Sequence, residues 1–175
     1  IDEMFVSPLY DRPATRPMLL KVSLLQPHYP FTCDAARFAY YLNRVRPWFE
    51  QPDNDHPFLG GRRRVRVPED VSQRDVQRAT AAYYGMIETV DDAFARVLAA
   101  LERAGQRLDD WIIVYTSDHG EMLGQHGVWE KTQFYEGSAR VPLVIRAPGR
   151  ISAGRRVAAS ASHCDLFATL CGLAG

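Results

Sequence analysis

Asp118 and His119 stand side by side in the run Thr116-Ser117-Asp118-His119-Gly120-Glu121. A carboxylate oxygen and an imidazole nitrogen together offer a hard and a borderline donor to one divalent ion. The run directly follows Trp111-Ile112-Ile113-Val114-Tyr115, which has the pattern of a buried strand. In open α/β sheets, ligands sit outside the carboxyl ends of such strands. Gly120 removes a side chain that would crowd a close turn. A second reading competes: a strand-end turn in which Asp118 caps backbone N–H groups. The bare triplet does not decide between them.

Other reactive residue types are scattered. His28 lies between two prolines in Gln26-Pro27-His28-Tyr29-Pro30-Phe31, and taken alone it serves structure as readily as chemistry. Lys131 taken alone reads as a surface lysine. The cysteines, Cys33, Cys164 and Cys171, are odd in number and lack metal-site spacing, so they are expected to be small core residues rather than a disulfide framework or ligands. His126 in Gln125-His126-Gly127 is expected to shape its loop, and Trp129 to form core or pocket wall. Glu136 and Arg140 have the spacing of a helical ion pair. His56 and His163 are expected at the surface or behind the site.

Three buried strands are expected to position these groups, at Met18 to Leu25, Trp111 to Tyr115 and Val141 to Ile145. Pro27 and Pro30 end the first, and aromatic, partly helical sequence follows to Phe49. Val76, Ala79, Tyr83, Met86, Ile87, Val90, Phe94, Val97, Leu98 and Leu101 recur at steps of three and four, predicting a long amphipathic helix. Ser72 and Asp75 suit its start and Gly105 the position past its end. A last helix is expected from Asp165, capped by Ser162. Apolar strands alternating with helices indicate α/β layers around a largely parallel sheet.

The chain has 175 residues with 46% hydrophobic and 24% charged, an ordinary globular balance and one domain's length. Lys plus Arg equals Asp plus Glu at 21 each, so no global field draws nucleic acid or an anionic membrane. Residues 51–70 are expected to form an exposed loop, whose solvated face carries the basic run Arg62-Arg63-Arg64-Val65-Arg66. No apolar stretch has the roughly 18 residues of a membrane span.

Beyond Glu121 the sequence continues Met122-Leu123-Gly124-Gln125-His126-Gly127-Val128-Trp129-Glu130-Lys131, then Tyr135-Glu136-Gly137-Ser138-Ala139-Arg140-Val141-Pro142-Leu143-Val144. With Ser117-Asp118-His119-Gly120-Glu121 this closely resembles the C-terminal signature of the sulfatase family, within the alkaline-phosphatase superfamily, and most of all its choline-sulfatase-type bacterial members. Tyr83 to Gly105, Gln26 to Phe31 and Ser162 to Leu170 resemble, in the family's order, the helix before that signature, a His-containing strand-end loop and the lead into the next helix. The likeness is weakest between about Thr32 and Ser72.

The resemblance implies part of a large, mostly parallel sheet sandwiched by helices, with residues 1–175 a partial catalytic domain truncated at both ends. It implies a sulfate monoester as small-molecule substrate, and a divalent metal, with calcium first and manganese or magnesium as alternatives. Asp118 and His119 look like metal ligands, His119 standing where many members have Asn. Lys131 looks like the cation on the ester oxygens, and His28 like the residue that binds sulfate or assists the leaving oxygen. The family's nucleophile, a formylglycine made from Cys or Ser in a Cys-x-Pro/Ala-Ser-Arg setting, is expected outside this chain. Cys33-Asp34-Ala35-Ala36-Arg37 imitates that setting but lacks Ser before Arg, and it follows the His28 loop instead of preceding it. Two metal ligands are too few for tight binding, so the chain alone is expected to be inactive. A phosphonate monoester or phosphodiester hydrolase on the same fold is one alternative, and a non-catalytic sulfatase-like remnant another. Substrate alcohol, oligomeric state and localisation stay open.

Overall fold

A computed structural model describes residues 17–47, 71–132 and 134–175. The expected loop over 51–70, its basic run and His56 lie outside these residues. Helix α1 spans Ala35–Leu42, α2 Gln73–Arg103, β1 Ile113–Thr116, the single turn α3 Glu136–Ala139, β2 Leu143–Arg146 and α4 His163–Ala174. The chain is thus α/β. Its contacts divide into two units, one containing residues 97–116 and 142–175 and the other 17–47, 71–96, 117–132 and 134–141. No helix among the described residues is long and apolar enough to cross a membrane.

The long helix forms where its periodicity predicts, with matching ends. Ser72 Oγ accepts from the Asp75 N–H, and the Asp75 carboxylate accepts from both the N–H and the hydroxyl of Ser72. These bonds, the hydroxyl's first, hold the Asp75 carboxyl below the usual carboxylate range. At the other end Gly105 has φ +75°, its N–H donates to Glu102 and that of Gln106 to Leu101. A left-handed residue with that bond pair satisfies carbonyls the helix would otherwise orphan.

In the second unit α1 docks on α2. Asp34 caps α1 by accepting the Arg37 N–H. Arg37 then spreads its guanidinium over Glu88 at 3.0 Å, Thr89 at 3.1 Å and Asp92, one face of α2. Tyr41 donates its hydroxyl to Glu88, which pushes its pKa up to about 12. A Cβ at Gly85 would lie 2.5 Å from Cys33 Sγ, so a glycine is what lets the two helices meet. Val76, Ala81, Ala82, Met86 and Val90 of α2 and Met122 and Val128 after β1 are buried. Phe31 bridges them, edge-on to Tyr83 at 5.7 Å and tilted on Trp129 at 6.1 Å.

In the first unit β1 and β2 pair antiparallel, with Ile113 opposite Arg146 and Thr116 opposite Leu143. Arg146 anchors the preceding turn by donating to the Leu108 carbonyl at 2.7 Å and pairing with Asp109. Helix α4 starts two residues before Asp165, with Ser162 Oγ accepting from Cys164 N–H and the Asp165 carboxylate from Ser162 N–H.

Two expectations need amendment. Met18 to Leu25 is not a strand buried on both faces: it has no ladder partner, and Leu19 and Leu25 are 87% and 81% exposed. An apolar run becomes a strand only when a neighbour takes its N–H and C=O groups, and the sheet contains β1 and β2 alone among the described residues. The α/β expectation stands, and its described pair β1–β2 is antiparallel. Cys164 and Cys171 are exposed on α4, not core residues, because the face of α4 that bears them is uncovered.

Cys33 is half-buried. Burial first, then the neighbouring Asp34 charge, push its thiol above its ordinary value, against the lowering effect of Arg37. A raised pKa leaves little thiolate. Cys33 should therefore alkylate at least about tenfold more slowly in the folded protein than in urea. Peptide mapping after iodoacetamide treatment checks this, and faster labelling in the folded state would return Cys33 to the list of nucleophiles.

Candidate active site

Asp118, His119, Lys131 and His28 all belong to the second unit. The first two occupy the irregular turn that leaves β1. Asp118 Oδ1 accepts the His119 N–H at 3.0 Å, and the Ser117 hydroxyl donates to the His119 carbonyl at 2.8 Å. The turn-capping reading therefore holds for one carboxylate oxygen. The other, Oδ2, lies 3.6 Å from His119 Nε2, on a side chain that is 85% exposed. His119 Nδ1 sits 2.8 Å from the Gly120 carbonyl oxygen. A carbonyl only accepts, so Nδ1 carries the hydrogen, and in the neutral ring Nε2 is the nitrogen with the lone pair. Desolvation pushes the Asp118 carboxyl up, but the attraction of the His119 ring in its protonated form and the backbone N–H groups of His119 and Asp118 outweigh it and hold it below its ordinary value.

This donor set fits a divalent cation. Metal bonds of about 2.0–2.4 Å to a nitrogen and an oxygen span a 3.6 Å separation. Among the described residues no cluster of three His, Cys, Asp or Glu side chains accompanies them. Asp118 and His119 would by themselves supply two donors of a shell.

Gly120 is required for a reason other than a tight turn, since its φ is not left-handed. Its N–H donates to the Ser138 carbonyl at 2.8 Å, and a Cβ there would stand 2.1 Å from the Gly137 carbonyl oxygen. The backbone of α3 lies directly on it. Gly137 in turn faces Gln125 and Met122, at 3.0 and 3.2 Å from where its Cβ would be. Glycine against glycine locks the Asp118-His119 turn to α3 and to the loop that follows.

That loop carries Lys131. The ammonium of Lys131 approaches His28 Nε2 to 3.3 Å across 103 positions of sequence. His28 Nδ1 lies 2.7 Å from the Tyr29 carbonyl, and its ring stacks on Tyr29 at 4.4 Å. Nδ1 therefore holds the hydrogen, and Nε2 accepts from Lys131. Pro27 and Pro30, on either side, both follow cis peptide bonds. Lys131 is half-buried, not a surface lysine. No hydrogen bond among the described residues joins this pair to Asp118 and His119.

His126 does shape the loop: its φ is +55° and its ring stacks on Tyr135 at 4.0 Å. Trp129 is half-buried against Phe31. Glu136 and Arg140 pair at 3.4 Å, both 81% exposed, an arrangement worth little to stability. His163 is exposed at the start of α4. Glu121, to which sequence reasoning gave no role, is bound at the centre of the loop: its Oε1 accepts from Glu130 N–H at 2.6 Å and Leu123 N–H at 3.2 Å. No pattern of residue types announces such bonds to backbone.

Comparison with known proteins bears on the family of the chain. A family model described as Sulfatase matches residues 3–175. The choline-sulfatase of Rhizobium meliloti is 34% identical over 94% of this chain and 33% of its own length, and the arylsulfatase of Clostridium perfringens 34% identical over 83% and 31%. A solved phosphonate monoester hydrolase of Agrobacterium radiobacter is 46% identical where matched, over 46% of this chain and 16% of its own, with a TM-score of 0.44. The chain spans about a third of the length of the curated relatives it matches. A family match over nearly every position, with relatives at 34% identity along most of the chain, places it in the sulfatase family of the alkaline-phosphatase superfamily.

Proposed function

We propose that the full-length protein hydrolyses a sulfate monoester, with this chain supplying two metal ligands and the groups that handle the leaving oxygen. The convergence of Lys131 and His28 carries the reading. An ammonium held by a neutral imidazole keeps N–H donors for an ester, where it neutralises charge growing on the transferring group. The same pair holds the proton that the departing alcohol oxygen takes up, a role suited to imidazole. Asp118 Oδ2 and His119 Nε2 would hold the divalent cation, calcium first and manganese or magnesium as alternatives. When bound it acts as a Lewis acid toward the non-bridging oxygens. The attacking oxygen is assigned to a hydrated formylglycine outside these residues, since no Cys-x-Pro/Ala-Ser-Arg segment occurs among them.

The test is turnover of an aryl sulfate by the full-length protein, co-expressed with a formylglycine-generating enzyme, against a phosphonate monoester of the same leaving group. Preference for the sulfate is expected; sulfate and phosphonate esters share tetrahedral geometry, so preference for the phosphonate would move the assignment to that branch. The Lys131→Ala protein should lose about 10²–10³-fold in kcat, the size of one removed donor to transition-state charge, and keep its metal. Unchanged kcat would show that Lys131 takes no part. No turnover of either ester by the metal-loaded, matured protein would leave the non-catalytic reading standing.

A further inference from the structure

Lys131 is presented by unusual backbone. Leu123, Gly124, His126, Gly127, Glu130 and Thr132 all have φ between +47° and +86°. Glu130 at +66° and Thr132 at +74° flank Lys131 directly, and neither is glycine. L-residues avoid that region, so surrounding bonds must impose it. At Glu130 the bonds are specific. Its N–H donates to Glu121 Oε1 at 2.6 Å, and its carbonyl accepts from Met122 N–H at 2.9 Å. Glu121 Oε1 also takes the Leu123 N–H, so one carboxylate ties both ends of the loop. An ionised acceptor makes such bonds shorter and about twice as strong as neutral ones. Met122, wholly buried, anchors the residue next to Glu121.

We propose that Glu121 is a positioning residue: by holding the Glu130 amide it fixes the strained backbone that delivers Lys131 to His28 and, on the functional reading above, to the ester. It acts through Lys131 and touches no reacting atom. A displacement of about 1 Å in a catalytic group costs on the order of 10²-fold. In the full-length protein Glu121→Ala should therefore lower kcat by about 10²-fold, with a smaller change in KM. Glu121→Gln, which keeps an acceptor oxygen at the same reach, should recover to within about tenfold of wild type.

A merely structural role is separated by two further readouts. The double variant Glu121→Ala, Lys131→Ala should be no slower than Lys131→Ala alone by more than about twofold, because both changes remove one contribution. Hydrogen exchange at the Glu130 amide should be at least about tenfold faster in Glu121→Ala than in Lys131→Ala. Losses that multiply in the double variant, or Glu130 protection unchanged in Glu121→Ala, overturn the positioning role while leaving the functional reading intact. Wild-type turnover by Lys131→Ala overturns that reading and the positioning role with it, even if the Glu130 amide responds as described.

Discussion

On the proposed function, Asp118→Ala in the full-length protein should bind less divalent cation and turn over aryl sulfate about 10³-fold more slowly, since metal stabilisation of developing charge is worth several kcal/mol and each ~1.4 kcal/mol is a factor of ten. The two carboxylate oxygens of Asp118 stand in different settings: Oδ1 accepts the His119 N–H, and Oδ2 stands near His119 Nε2. Asp118→Asn keeps an acceptor for the N–H but loses the anionic oxygen. If the turn were all that mattered, Asn would restore activity. If the residue ligates metal, Asn should resemble Ala in metal content, measured by elemental analysis, and remain at least about tenfold below wild type. His119→Ala should follow the same pattern, because it removes the Nε2 that stands beside Asp118 Oδ2.

Gly120→Ala should be the most damaging single change to folding. The added Cβ would stand 2.1 Å from the Gly137 carbonyl oxygen, 3.1 Å from its carbon and 3.4 Å from the Ser138 carbonyl oxygen. All three obstacles are backbone, and the Gly120 N–H bond to Ser138 prevents a simple retreat. Overpacking usually costs about 1–3 kcal/mol, and with nothing able to rotate aside the cost here should reach about 3 kcal/mol or more. Gly127→Ala is the comparison: its φ is +67° but nothing lies within 4 Å of the new Cβ, so only backbone strain of about 1–2 kcal/mol applies. Urea titration of both variants reads the difference. Equal midpoints would mean that α3 is not packed on the Asp118 turn as the structure has it.

Much of this architecture was legible before any coordinates. Helix α2 declared itself through its periodicity and through ends whose chemistry is local: Ser72 with Asp75, Gly105 with its left-handed turn. Ser162 and Asp165 announced α4 in the same way. Strands were located to within about two residues because apolar runs mark them, yet Met18 to Leu25 shows the limit of that signal. Its composition states a preference, and pairing depends on a partner elsewhere. At Asp118 and His119 residue type offered a candidate donor pair without deciding against a turn, and the structure sets Asp118 Oδ2 3.6 Å from His119 Nε2. The meeting of Lys131 with His28 was not legible, being a contact across 103 positions that only family resemblance suggested. Glu121 was invisible because its partners are backbone amides, which every sequence has. The left-handed angles at Leu123, Glu130 and Thr132 were hidden too, because nothing in the residue types marks them.

Those angles bear on what selection for robustness would do to this protein. Glycine or asparagine at positions 130 and 132 relieves strain that the present residues carry. A library screened only for heat resistance would therefore gather such replacements, and the gain would come from slackening the segment that aims Lys131. Under the proposed role of this segment, heat resistance and turnover would pull positions 130 and 132 in opposite directions.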